Sequence, residues 1–135
     1  MRIDAGDGAC HLTYCTNIHP GESWAQIRAN LVEHVPRVKD AFAPGQPFGV
    51  GLRLSALAAG ELAAEDAVAD LRSLLAAEGL YVFTINGFPY GPFHGTPVKA
   101  DVYQPDWSTP ERLEYTNGLA DLLAALLPAG TDGTV

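Results

Sequence analysis

Apolar positions along this chain follow two rhythms that alternate three times. Short runs rich in β-branched and aromatic residues, Leu12 to Thr16, Phe48 to Leu54 and Tyr81 to Ile85, read as strands. After each of them, apolar residues recur at steps of three and four, the spacing of one helix face. The first helix carries Trp24, Ile27, Leu31, Val35 and Val38, and Ser23 with Gln26 forms a capping box at its start. Pro36 predicts a kink or an early end there. The second runs from about Leu62 to Ala77, with Val68, Leu71, Leu74 and Leu75 inward and Gly79 at the C-cap. The third is marked by Ser108 and Glu111 as a further capping box, with Pro110 in its first turn. Leu113, Leu119, Leu122, Leu123 and Leu126 supply its buried stripe.

The strands begin near residues 12, 48 and 81, a spacing that suits repeated βα units in a parallel sheet. Right-handed crossovers leave two architectures, a small open sheet or the opening of an eightfold barrel. Three strands make a thin open sheet, and Thr131 to Val135 lies where a fourth strand would begin. The expectation is therefore an α/β, TIM (β/α)8-barrel-like fold of which the first three βα units are present. Residues 1–135 would form the N-terminal portion of a single domain.

Composition narrows the partners. Apolar residues make up 47% and charged residues 18% of the chain, values of a folded domain. Eight Lys and Arg stand against 16 Asp and Glu, and the net charge of −8 disfavours nucleic acid and anionic membranes. The first residues lack the apolar core of a secretory signal, and the most apolar run, Leu119 to Leu127, is too short to span a bilayer. A cytoplasmic protein without membrane insertion is expected. Cys10 and Cys15 match neither a redox nor a zinc spacing and read as reduced thiols in or beside a strand.

Candidate chemistry gathers where strands empty into loops, since parallel sheets deliver side chains to their C-terminal edge. The third strand opens into Asn86-Gly-Phe-Pro-Tyr-Gly-Pro-Phe-His94, a loop that runs on through Lys99, Asp101, Tyr103 and Asp106-Trp107. His94 is the candidate catalytic residue, a proton-transfer group among aromatic side chains that suit an apolar or ring-shaped ligand. The alternative is a histidine that hydrogen-bonds the loop's own backbone. Asn86, Phe88 and Tyr90 are candidate substrate contacts, as are Asn17 and His19, which follow the first strand together with Glu22. Turn formation and helix capping would account equally for Asn17 and Glu22. Arg53 ends the second strand, placed either to clamp a carboxylate or phosphate or to pair with an acidic neighbour. Lys99 reads as a solvated loop charge, and His11 and His34 as structural or exposed. Phosphate-binding glycine loops, GxSxG and HExxH are all missing from this stretch.

Three stretches taken together carry a family resemblance: His11-Leu-Thr-Tyr-Cys-Thr-Asn-Ile-His-Pro-Gly-Glu-Ser-Trp24, Gly49-Val-Gly-Leu-Arg-Leu-Ser55 and Thr84-Ile-Asn-Gly-Phe-Pro-Tyr-Gly-Pro-Phe-His-Gly95. They resemble the EboE family of metabolite traffic proteins, within the xylose-isomerase-like, sugar-phosphate isomerase/epimerase-type barrels. The resemblance implies a cytoplasmic protein that binds or processes a small metabolite or precursor for export, alongside other proteins of that pathway. It also implies a possible divalent metal, held by residues beyond this chain, so no metal ligand is assigned here. Two further readings stand beside it. One is a divalent-metal-dependent isomerase or epimerase acting on a sugar-like substrate. The other is an open-sheet domain whose aromatic loop contacts another protein.

Overall fold

The computed structural model describes residues 1–6, 8–92, 94–95 and 102–135; Phe93, Lys99 and Asp101, named above, lie outside the described residues. The chain opens with a hairpin, β1 (Arg2–Ala5) and β2 (Gly8–His11), paired antiparallel around Gly6 at φ 65°. A short strand β3 (Thr13–Cys15) follows, then a single 3-10 turn over Thr16–Ile18 and the long helix α1 (Trp24–Phe42). Strand β4 (Phe48–Arg53) leads into two helices, α2 (Ala56–Leu62) and α3 (Glu65–Glu78). Strand β5 (Leu80–Asn86) and helix α4 (Pro110–Leu126) complete the order. β3, β4 and β5 form one parallel sheet in that order, and β1 with β2 forms a separate two-stranded sheet.

This corrects the expected barrel. The protein is a small α/β domain with a three-stranded parallel sheet and a separate antiparallel pair, not three βα units of a (β/α)8 barrel. The hairpin escaped notice because Met1 to His11 mixes charges and glycines without a regular apolar alternation. It is tied to the rest by backbone and ring contacts. Leu12 and Met1 exchange bonds of 2.8 and 2.6 Å, and His11 Nδ1 lies 3.0 Å from the Tyr81 hydroxyl with its ring against Phe83. Residues 131–135 contribute only an isolated bridge, Thr84 to Thr134.

One apolar core holds the parallel sheet to its helices. Phe48, Val50 and Leu52 alternate into it from β4 with Leu54 just past the strand's end, and Val82 and Ile85 enter it from β5. Trp24, Ile27, Leu31 and Val35 come from α1, Ala58 and Leu62 from α2, Leu71 and Leu75 from α3. Helix α4 supplies Tyr115, Leu119, Leu122, Leu123 and Leu126. The Ser23–Gln26 capping box is formed in both directions, and Gly79 ends α3 in the left-handed region at φ 61°.

Three local expectations change. Helix α1 does not end at Pro36 but continues to Phe42; the bond lost is the one to the Val32 carbonyl, on the exposed side of the helix. The second crossover breaks into two helices because Ser55 caps its start, its Oγ accepting from Ala58 N at 3.1 Å, which begins helix earlier than Leu62. At α4 the N-cap is Thr109 rather than Ser108, because Asp106 already takes both the Ser108 amide and its hydroxyl. Leu113, out of phase with Leu119, Leu122 and Leu126, is exposed, and Tyr115 and Arg112 occupy the buried face. Both cysteines are free and exposed, in β2 and β3.

Opposite the core, β4 shows Gly49 and Gly51 where side chains would stand. A Cβ on Gly49 would lie 2.8 Å from the Leu12 carbonyl oxygen and 3.2 Å from Thr13 Cγ2. Gly118, inside α4, has nothing within 4 Å of such a carbon. Gly49→Ala is expected to destabilise by about 1–3 kcal/mol through overpacking against backbone. Gly118→Ala is expected to stabilise by about 0.5–1 kcal/mol through helix propensity. Urea unfolding of both variants checks the opposite signs.

Candidate functional site

The C-terminal edge of the parallel sheet is where Cys15, Arg53 and Asn86 end their strands. Thr16 joins the first two, its Oγ1 donating to Gly51 O at 3.3 Å and accepting from Arg53 N at 2.8 Å. Arg53 is only 3% exposed, deep enough that its charge must be met by protein groups. Its Nη1 donates to Gly21 O at 3.0 Å and to Glu22 Oε1 at 3.1 Å. Its Nη2 faces Glu22 Oε2 at 3.3 Å, Pro89 O at 3.3 Å and Gly91 O at 3.0 Å. The loop after β3 and the loop after β5 are thereby fastened to one guanidinium. Ser55 adds a second tie, donating to Glu22 O at 2.6 Å. The carboxylate that Arg53 clamps is the chain's own Glu22.

Removing the cation would take from Glu22 and three carbonyls the donor that joins them. Arg53→Met is expected to cost about 3 kcal/mol, the lower end for a broken buried pair because the Glu22 side chain is 27% exposed. Chemical denaturation measures it, and a loss under about 0.5 kcal/mol would mean the strut carries no stability.

Two clefts open at this edge. One, of about 430 Å³, is lined by Pro20, Gly21, Glu22, Gln26, Asn30 and His94. It brings His94 and Glu22 together. The other, of about 350 Å³, is lined by Asn86, Phe88, Tyr103, Asp106, Trp107 and Arg112. Here Phe88, Tyr103 and Trp107 are 39%, 64% and 72% exposed, large rings held at the surface around a hollow. Phe88 and Tyr103 pair with ring centres 5.7 Å apart. Asn86 Oδ1 accepts from Phe88 N at 3.1 Å, an Asx turn that sets the direction of the loop.

The remaining sequence candidates sit elsewhere. Tyr90 packs edge-on against Tyr115, at 5.0 Å, in the wall between α2 and α4. Asn17 accepts from Cys15 Sγ at 3.3 Å on the flank of β3. His19 lies on that flank too, its Nε2 2.7 Å from the Tyr14 hydroxyl and its ring stacked on His34 at 4.1 Å.

Arg112, Asp106, Tyr103 and Trp107 were not among the sequence candidates for the site. Arg112 is the third residue of α4 and, seven positions before Leu119, lies in phase with the buried leucines, but a charge at that place is not what an apolar stripe leads one to expect. A run of acid, tryptophan and serine directly before a helix was the available signal. Arg112 is 7% exposed, with Nε donating to Pro105 O at 2.9 Å and Nη1 to Gly87 O at 3.0 Å. Its guanidinium lies 5.6 to 6.0 Å from the ring centres of Tyr115, Tyr90 and Trp107. Hydrogen bonds from the Ser108 hydroxyl and amide hold the Asp106 carboxyl below its usual range, so it stays ionised. Burial pushes the Tyr115 hydroxyl up to about 12, and it donates to Leu54 O as a neutral phenol.

Burial, then the neighbouring His34, lowers the His19 pKa below its ordinary 6.5, with Glu33 opposing and His94 adding to the shift. The folded state therefore binds fewer protons than the unfolded chain just below that value. Stability is full above about pH 6.5 and declines as the pH falls through the folded value. Urea midpoints at about pH 7.5 and about pH 5.5 check the decline, and His19→Gln is expected to flatten it. An unchanged slope in that variant would assign the decline to other groups.

Among the described residues, no three His, Cys, Asp or Glu side chains could share one metal ion. The divalent site that the resemblance implies would be held by residues beyond this chain. Among the described residues, no helix is long and apolar enough to cross a membrane. Fold and edge together define a small α/β domain with two ligand-sized clefts at the C-terminal end of a parallel sheet. Family models, curated proteins and solved structures were each compared with the chain, and none matches it.

Proposed function

We propose that this chain binds a small metabolite in the cleft formed by Phe88, Tyr103 and Trp107. The observation that carries the reading is three exposed rings around a hollow of about 350 Å³ with Arg112, Asp106 and Asn86 as polar anchors. Exposed rings cost solvation unless something covers them, and a hollow of this size accepts one small molecule rather than a peptide. The position after β5 supports the same reading, because parallel sheets bind ligands beyond the carboxyl ends of their strands. The EboE-like resemblance supplies the context: a cytoplasmic protein holding a metabolite or precursor and passing it to other proteins of an export pathway. An isomerase acting through His94 would require His94 and the rings to meet one substrate, and they line different clefts.

Titration with tryptophol, a neutral aromatic alcohol, followed by amide and indole N–H NMR shifts, tests the site. The expected shifts are confined to residues around Phe88, Tyr103, Trp107 and Arg112, and Trp107→Ala is expected to weaken binding by about tenfold. Trp107 is 72% exposed, so the variant should fold normally. Shifts that survive Trp107→Ala, or that map to the His94 cleft, would overturn the assignment.

A further inference from the structure

The floor of the aromatic cleft is a buried cation with donor capacity left over. Arg112 is 93% enclosed by its 7% exposure, yet only Nε and Nη1 have hydrogen-bond partners among the described residues, the carbonyls of Pro105 and Gly87. Nη2 has none, and it is not among the sealed polar atoms lacking partners, so it reaches solvent space. The space that Arg112 lines is this cleft. The two carbonyls and the three ring contacts fix the guanidinium plane in advance of any ligand.

A buried arginine without a carboxylate partner is unusual in a chain with 16 Asp and Glu. Arg53 shows the contrast at the same edge, its fork filled by Glu22. Among the described residues, Asp106 lines the same cleft and feels the Arg112 charge, but its carboxylate is spent on Ser108 and lies beyond ion-pair distance of the guanidinium. The cleft thus offers a ring-stacking surface and, at its base, a pre-set cationic donor. Resting on the reading above, we propose that the ligand is an aromatic carboxylate. Its ring lies against Trp107 and the Phe88–Tyr103 pair, and its carboxylate accepts from Arg112 Nη2.

Asp106 and the net charge of −8 oppose an anion, and the balance turns on burial. Asp106 faces solvent, so water and salt screen its repulsion, whereas Arg112 sits where little screening reaches. Charge-assisted hydrogen bonds to a fixed guanidinium are also the stronger contact. A cationic ligand would gain the aromatic faces and Asp106 but would be repelled by Arg112 beneath them.

Three ligands with one ring decide the matter on the full chain: indole-3-acetate, tryptophol and tryptamine, each titrated by calorimetry and by the Trp107 indole N–H resonance. Indole-3-acetate is expected to bind at least about tenfold tighter than the other two, with an advantage that shrinks as salt is raised. Arg112→Gln is expected to abolish that advantage while the three ligands keep similar ring-driven affinities. Should this variant fail to fold, the ligand series on the unaltered chain decides alone. Tryptophol equal to or tighter than indole-3-acetate would overturn the carboxylate while leaving the aromatic site standing. Tryptamine tightest would overturn it in favour of a cation. No shift of Trp107 with any of the three would overturn the site and the inference together.

Discussion

A single buried guanidinium determines the shape of the functional edge. Arg53 ends the central strand, where every position of β4 is buried, and its charge cannot be hydrated there. Its partners come from two loops more than 60 residues apart in sequence, Gly21 and Glu22 on one side, Pro89 and Gly91 on the other. Around these contacts, at Gly21, Glu22, Pro89 and Gly91, neither loop is in helix or strand. Both take their positions from satisfying the same cation. The clefts on either side follow from that, since Gly21 and Glu22 line one and the chain just before Pro89 lines the other.

Arg112 repeats the arrangement one strand further out with a different outcome. It too is buried and too is held by backbone carbonyls, those of Gly87 and Pro105. What differs is the carboxylate. Arg53 has Glu22, and its fork is closed. Arg112 has rings on several sides and, among the described residues, no acid within ion-pair distance, which is the basis for proposing that the part of its fork turned to the cleft takes a ligand's anion. The two arginines show how one residue type serves as a strut or as a receptor, depending on whether the chain itself supplies the anion.

The elements built on strong periodicity were legible in the sequence. The capping box at Ser23, the apolar stripe of α1, the glycine cap at Gly79 and strand β5 are all where the pattern put them. These are local signals in which propensity and burial agree. The barrel was not sound, because three parallel strands of similar spacing do not by themselves distinguish a barrel opening from a small open sheet, and the hairpin before β3 had no pattern to announce it. At α4 Leu119, Leu122, Leu123 and Leu126 are buried as the spacing put them, and Leu113 is exposed, because Arg112 and Tyr115, seven and four positions before Leu119, are the ones in phase with that stripe. Arg53 was visible as an anomalous charge at a strand end, but whether its anion was a ligand or Glu22 depends on loop geometry, which spacing does not encode.

The separation of His94 from the aromatic rings bears on what kind of protein this is. Loop sequence suggested one site, a histidine among aromatics, because His94 and Phe88 are six positions apart. The Arg53 strut divides that loop instead. By holding Pro89 and Gly91 it turns Phe88 toward α4 and leaves His94 beside Glu22, over the start of α1. A proton-transfer group must lie within hydrogen-bond reach of the atom it serves. A ligand stacked on Trp107 is served by Arg112, Asp106 and Asn86, which are recognition groups: one a permanent cation, one a carboxylate held ionised, one a neutral amide. None of these three exchanges a proton readily near neutral pH. Recognition groups of this kind suit the holding of a molecule, which is the reading proposed for the cleft.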